Sequence, residues 1–268
     1  MSDYSHYQRF RIEVDDKLAI VTLDRPEARN AIDHQTHVEL VRLFVDLAED
    51  TDVNAILLTA AGRTFSVGGD VKGMKDRPAG DVVAEGAVLD PAPARRIVNN
   101  LLDCDKPIVC AINGHAIGLG ATIALLSDIT VAAEDAKIAD PHVKVGLVAG
   151  DGGAAIWPLL VGPARAKEYL MRGTALTGRE AQEVGLVNYT YPAAEVYGRA
   201  HEIARELADG ATWAIRWTKL SVNKWLKEQV NLILDASMAL EIATFHTEDH
   251  KEAVAAFIEK RKPSFTGR

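Results

Sequence analysis

The chain has 268 residues, 48% of them apolar, enough for one large domain with a sizeable core. Its 30 basic and 38 acidic residues leave a net charge of −8, which argues against a nucleic-acid partner, since a phosphate backbone needs a concentrated basic face. No apolar run reaches membrane-spanning length, the first residues lack the basic and apolar stretches of a leader, and Cys104 and Cys110 make neither a disulfide framework nor C-x-x-C; the expectation is a cytoplasmic protein with two free thiols.

In chain order, Phe10 to Val14 and Leu18 to Leu23 predict a hairpin around Asp15-Asp16-Lys17. Asp33 is placed to cap a helix whose apolar stripe is Val38, Val41, Phe44, Val45 and Ala48. A strand follows at Ala55 to Thr59. Pro78 to Pro93, rich in Pro, Gly and Asp, predicts a mobile loop. Ile97, Val98, Leu101 and Leu102 mark a helix, Pro107 to Ile112 a strand, Ala121 to Leu126 a helix and Ile129 to Ala133 a strand. Gly152 to Val161 predicts another helix, with Pro158 as a break or a start inside it. Strand and helix alternate up to about residue 190, the pattern of an α/β fold with mostly parallel pairing. Beyond Pro192 only helices are expected, near 194–209, 212–227, 230–247 and 250–261. Trp213, Trp217, Trp225, Leu232 and Phe245 give this tail more apolar surface than one helix layer buries, as expected of a subunit interface.

Two glycine-dense turns carry the chemistry. Gly62 to Asp70 contains Gly68-Gly69, and Ile112 to Gly120 contains Gly118-Leu119-Gly120. Each follows a strand-like run and leads toward a helix-like segment, so together they can aim two backbone N–H groups at one point, the requirement for holding an oxyanion. Singly, each is an ordinary tight turn. Neither is a nucleotide fingerprint, and Ser66 sits in no nucleophile elbow because Thr64 occupies the first glycine position of G-x-S-x-G. His246 and His250 share a helix face but do not match H-E-x-x-H, and a solvated face is the simpler account; His34 and His37 carry the same caution. Asp140-Pro141-His142, followed by Gly150-Asp151-Gly152-Gly153, suits a proton-handling pair, while Asp151 could equally cap the following helix.

The chain resembles the crotonase, or enoyl-CoA hydratase/isomerase, superfamily over nearly its whole length. The resemblance runs through Leu23-Asp24-Arg25-Pro26 with Asn30-Ala31, Phe65 to Lys72, Lys106 to Gly120, Ser127-Asp128, Leu176 to Ala181 with Gly185-Leu186-Val187, and Ala256 to Pro263. It implies an α/β spiral of ββα units over 1–192 and a helical trimerisation region over 193–268, giving a homotrimer or hexamer. It implies a CoA thioester as substrate, no cofactor beyond the coenzyme A of that substrate, no metal, and no nucleic-acid or membrane partner. The oxyanion hole carries over to the N–H groups of Gly69 and Leu119. Arg25, Asp70, Val71 and Lys72 carry over to the CoA-binding segment, and Lys260 to a lysine that reaches CoA phosphate from a neighbouring subunit, with an exposed helical lysine as the alternative.

The sequence departs from the family at the usual pair of glutamates: Thr122 stands in the place of the first and His142 in that of the second. His142 is the first candidate base and Asp151 the second. Hydration of a 2-enoyl-CoA is the family default. Double-bond isomerisation, which needs one base, and thioester or C–C hydrolysis are alternatives, and a CoA-binding scaffold without chemistry is the reading from another class.

Overall fold

In the computed structural model, which describes residues 3–70 and 92–268, the chain opens on the predicted hairpin. Strands β1 (Phe10–Asp15) and β2 (Leu18–Leu23) pair antiparallel, with Asp16 and Lys17 taking the positive φ of the turn. Asp33 caps α1 (His34–Glu49) by accepting from the Thr36 N–H at 2.8 Å. The buried stripe of α1 is Leu40, Leu43, Phe44 and Leu47, rotated from the predicted one: Val38 is 47% exposed. The larger leucines set the face that meets the sheet, because they remove more apolar area from water than the valines.

β3 (Ala55–Ala60) and β4 (Thr64–Ser66) come next. The predicted loop at Pro78–Pro93, together with Val71 and Lys72, lies outside the described residues as far as Pro91. Pro93 instead falls in the first turn of α2 (Ala92–Asp103), where its missing N–H costs nothing. β5 (Ile108–Ile112), β6 (His115–Ile117), α3 (Leu119–Leu125), β7 (Ile129–Ala133) and β8 (Lys137–Ala139) follow. A single 3₁₀ turn, His142–Val145, precedes α4 (Gly153–Val161), which runs through Pro158 without breaking. Then come α5 (Pro163–Arg172), β9 (Leu176–Thr177), α6 (Gly178–Glu183), β10 (Tyr189–Tyr191) and α7 (Ala193–Asp209). The two helices expected at 212–227 and 230–247 are one, α8 (Thr212–Phe245), since Glu228 and Gln229 are good helix formers and nothing there stops the ladder. α9 (Glu248–Glu259) ends the regular structure.

The strands make two sheets. The larger has the order β1-β2-β3-β5-β7-β10, parallel beyond the first hairpin. It is buried on both faces. Ile56 and Leu58 point into the main core with α1 and α2, while Leu57, one residue out of phase, points to the other face. There the small stripe Val196, Ala200, Ala204 and Ala208 lets α7 lie close on the strands. The second sheet, β4-β6-β8-β9, is built from strands of two or three residues, too short for sequence periodicity to reveal. Its first three strands are parallel, so their carboxyl ends at Ser66, Ile117 and Ala139 share one edge. Both cysteines are free and buried, as expected. On the single chain Trp213, Trp217, Trp225 and Leu232 of α8 are exposed, but Phe245 is half-buried edge-on to the His250 ring.

Candidate active site

The segments that leave that shared edge are the two glycine turns and Asp140-Pro141-His142. Gly68 and Gly118 both have positive φ, at 77° and 54°. A Cβ on Gly68 would stand 2.7 Å from the Ile117 carbonyl oxygen, so the two turns touch backbone to backbone and neither position admits a side chain without strain. Asn30, fully buried, fixes the first turn: its Nδ2 donates to the carbonyls of Ala61 (2.8 Å) and Thr64 (2.7 Å), and its Oδ1 accepts from the Arg25 N–H. Ser66 Oγ donates to the Asn30 carbonyl and accepts from the Gly68 N–H, so this serine is a structural clasp.

Among the described residues, neither of the two amides assigned to the oxyanion hole has a hydrogen-bond partner. Ile32 donates to the Gly68 carbonyl (2.8 Å) and accepts from the Asp70 N–H (3.2 Å), which turns the Gly69 N–H between them away from Ile32. Leu119 opens α3, and the first donor within that helix is Thr122, to the Gly118 carbonyl. The Leu119 N–H therefore has no intrahelical partner.

His142 comes up beside the second turn, its Cε1 3.6 Å from where a Cβ on Gly118 would lie. Nδ1 bonds Asp140 Oδ1, which orients the ring. Nε2 faces Asp151 Oδ2 at 3.5 Å and Glu241 Oε1 at 3.9 Å. The imidazole is largely buried, 14% exposed, and that burial opposes its charge. Asp151 and then Asp140 outweigh that effect and hold its pKa well above the ordinary value. Burial, reinforced by Asp151 and opposed by His142, pushes the Glu241 carboxyl up to about 8. Thr122 Oγ1, Asp140 Oδ2 and Asp151 Oδ1 are buried with no hydrogen-bond partner among the described residues, so the site offers polar valence that a ligand or water can satisfy. Asp140, His142 and Asp151 bring donor atoms within 4.8 Å of one another, close enough for one metal ion. Nδ1 of His142 is already committed to Asp140, however.

Thus the fold brings Gly69, Leu119, His142 and Asp151 to neighbouring positions. Asp151 precedes Gly152, and the structure shows no side-chain cap for α4, so the capping alternative drops out. Arg25 and Asp70 also meet, at 3.3 Å, with Asp33 3.5 Å from the same guanidinium. Lys260 is the exposed, left-handed cap residue ending α9. His250 is not on a solvated face: it is buried, and its Nδ1 donates to the Val145 carbonyl at 2.7 Å. Glu241 was invisible to sequence reasoning, since it lies in no motif and on a helix expected only to carry a subunit interface.

The model of the enoyl-CoA hydratase/isomerase family matches residues 13–268. The chain belongs to this family. It is 32% identical over 252 residues to the short-chain-enoyl-CoA hydratase of Clostridium acetobutylicum, covering 94% of this chain and 95% of that one. It is also 32% identical over 248 residues to the 1,2-epoxyphenylacetyl-CoA isomerase of Escherichia coli, covering 92% and 94%. A crystal structure of an enoyl-CoA hydratase/isomerase from Mycobacterium paratuberculosis superposes with a TM-score of 0.86 at 36% identity, over 94% of this chain and 99% of that one. The fold is therefore the crotonase-type α/β fold with its C-terminal helices, as the sequence resemblance implied.

Proposed function

We propose that this family member binds an acyl-CoA thioester, stabilises its enolate between the N–H groups of Gly69 and Leu119, and adds water across a 2-enoyl-CoA. The observation that carries the reading is the shared edge of β4, β6 and β8, from which His142 and two amides without a partner among the described residues emerge together. One such donor contributes about 3–4 kcal/mol to lowering the barrier.

The acid–base roles follow from charge. With Asp140 and Asp151 beside it, His142 rests as an imidazolium at neutral pH, which makes it a donor, and Asp151 the acceptor, in place of the order the sequence suggests. As the water oxygen bonds the β-carbon, its proton passes to Asp151. The C=C pair moves to the thioester oxygen in the hole. Nε2–H of His142 then protonates the α-carbon, and the proton on Asp151 returns to His142 across the 3.5 Å gap, so that one water has been added. Isomerisation would use the same groups without water; the 32% identity to an isomerase keeps it as the second reading.

Arg25, Asp70, Val71 and Lys72 are proposed to hold the CoA moiety, and Lys260 its phosphate from a neighbouring subunit. The exposed aromatic face of α8, within the 193–268 region, is proposed to close a homotrimer or hexamer. The test is direct. Crotonyl-CoA should bind with micromolar affinity in calorimetry, far more tightly than NAD or ATP, and should lose its enoyl absorbance on turnover. Equal affinity for all three would defeat the substrate assignment; tight binding without turnover of any enoyl-CoA would favour a scaffold. Sedimentation of a micromolar solution as a monomer would defeat the assembly.

A further inference from the structure

We propose that Glu241 is a working residue of this site: with Asp151 it holds the adding water against Nε2 of His142, supplying from the C-terminal helix the second carboxyl that the chain lacks at Thr122. The proposal rests on the acyl-CoA reading above and assigns a group that reading does not use.

Helix α8 clamps the turn that carries Asp151. Ser237 Oγ donates to the Gly150 carbonyl at 3.0 Å, and Thr244 Oγ1 accepts from the Val148 N–H at 3.2 Å. Residues 237, 241 and 244 lie on one helix face, so Glu241 sits between the two clamps and faces the turn. Room has been made for it. A Cβ on Gly150 would stand 2.6 Å from both Cβ and Oε2 of Glu241. Its side chain is 13% exposed, and its ionic neighbour is His142, with no lysine or arginine in an ion pair with it among the described residues. Burying a third carboxyl beside Asp140 and Asp151 costs the fold stability that a leucine or glutamine there would not.

The distances say what it can do. Nε2 of His142 stands 3.5 Å from Asp151 and 3.9 Å from Glu241, too far for strong direct bonds and suited to one oxygen atom bound between the three. Asp140 cannot take the role, because it is engaged with Nδ1 on the far side of the ring. The unpartnered Oδ1 of Asp151 leaves that carboxylate with an acceptor to spare. Asp140, His142 and Asp151 are the charged groups that act on Glu241; burial first, then Asp151 and Asp140, keep its proton in place up to about pH 8, against the pull of His142. Below that pH two acids and a base of different proton content meet at one water, the condition for orienting it.

The experiment uses full-length Glu241→Ala and Glu241→Gln with crotonyl-CoA, measured from about pH 6 to 10, and nitrogen NMR of the His142 ring without substrate. Glu241→Ala should lower kcat by about 10²-fold at unchanged KM, whereas Glu241→Gln, which keeps a neutral polar group of the same shape, should stay within about tenfold. Wild-type kcat should decline as pH rises through about 8, and this step, distinct from any alkaline loss as the His142 imidazolium gives up its proton, should vanish in Glu241→Gln. The His142 resonances should show an inflection near the same pH in the wild type and none in Glu241→Gln. Wild-type kcat in Glu241→Ala would overturn the proposal, as would equal losses in both variants with the pH limb retained. If the wild type turned over no enoyl-CoA, the acyl-CoA reading would fail by itself. The NMR titration would then decide Glu241 alone, and absence of the inflection would overturn its role.

Discussion

The two halves of the site are built from opposite materials. The proposed oxyanion side is backbone: Gly68-Gly69 and Gly118-Leu119, uncharged, held by the parallel strands β4 and β6 and by the Asn30 clasp. The proposed proton side is side chain: Asp140, His142, Asp151 and Glu241, contributed by the end of β8, the turns before α4, and α8. A hole made of amides depends on conformation and tolerates changes of side chain. A cluster of four titratable groups depends on residue identity and pH. Substitutions should therefore divide cleanly between the two.

The largest effects belong to the proton side. His142→Ala and Asp151→Asn should each reduce kcat by on the order of 10²–10⁴ with little change in thioester binding. The pH profile sharpens the assignment. A histidine whose folded pKa is raised keeps its charge through neutrality, so lowering the pH from about 7 to 6 should not remove activity through His142; the loss should come on the alkaline side as the imidazolium gives up its proton. Stability runs the same way, since the contribution of this imidazolium is complete below its unfolded pKa and fades as pH rises through the folded one. An acidic limb abolished by His142→Gln would restore the histidine as the resting base. Full activity in both variants would remove the chemistry from this cluster.

The backbone side should show a conformational signature instead. Gly118→Ala places a Cβ at φ 54°, ψ −129°, strains the turn that presents the Leu119 N–H, and should cost about 10²–10³ in kcat/KM if the hole is displaced. Leu119→Gly keeps the amide and should retain activity, while Leu119→Pro removes it and should abolish activity in a variant shown by circular dichroism to be folded. A folded and fully active proline variant would mean that the hole lies elsewhere.

The same division explains what the sequence could show. The hairpin, the Asp33 cap and the strand Ile129–Ala133 were legible because each is local: a turn, a capping side chain, an apolar run between breakers. The glycine turns were legible for the same reason, while the choice of Gly69 and Leu119 within them is what the family resemblance implies. The sheet that aligns them was not, because strands as short as Thr64–Ser66 and His115–Ile117 draw their definition from neighbours distant in the chain. His142 and Asp151 stand out by residue type, yet the pKa of His142 is set by burial against the pull of Asp151 and Asp140, which only the folded chain brings to one ring. Glu241 arrives from α8, whose sequence shows only a long helix with an apolar surface. The stripe of α1 was misplaced because periodicity alone does not say which of two neighbouring apolar faces meets the sheet.

The smallest expected effect lies where the two halves touch. Thr122 is in the first turns of α3 but faces the proton side: a Cβ on Gly152 would meet its Cγ2 at 2.7 Å, next to Asp151. Its Oγ1 is buried without a partner among the described residues, so the hydroxyl is desolvated with no hydrogen bond from them in return. Thr122→Val keeps the shape and removes that orphan. In the ligand-free protein it should leave stability within about 1 kcal/mol of wild type or raise it, read from the denaturation midpoint. If the hydroxyl also serves the bound state, the same variant should lose about 1 kcal/mol of transition-state stabilisation, roughly fivefold in kcat/KM. A variant that is markedly less stable would show that Oγ1 has a structural partner, such as a buried water. A variant unchanged in both measurements would show that the place of the family's first glutamate is idle, with water handling confined to Asp151, His142 and Glu241.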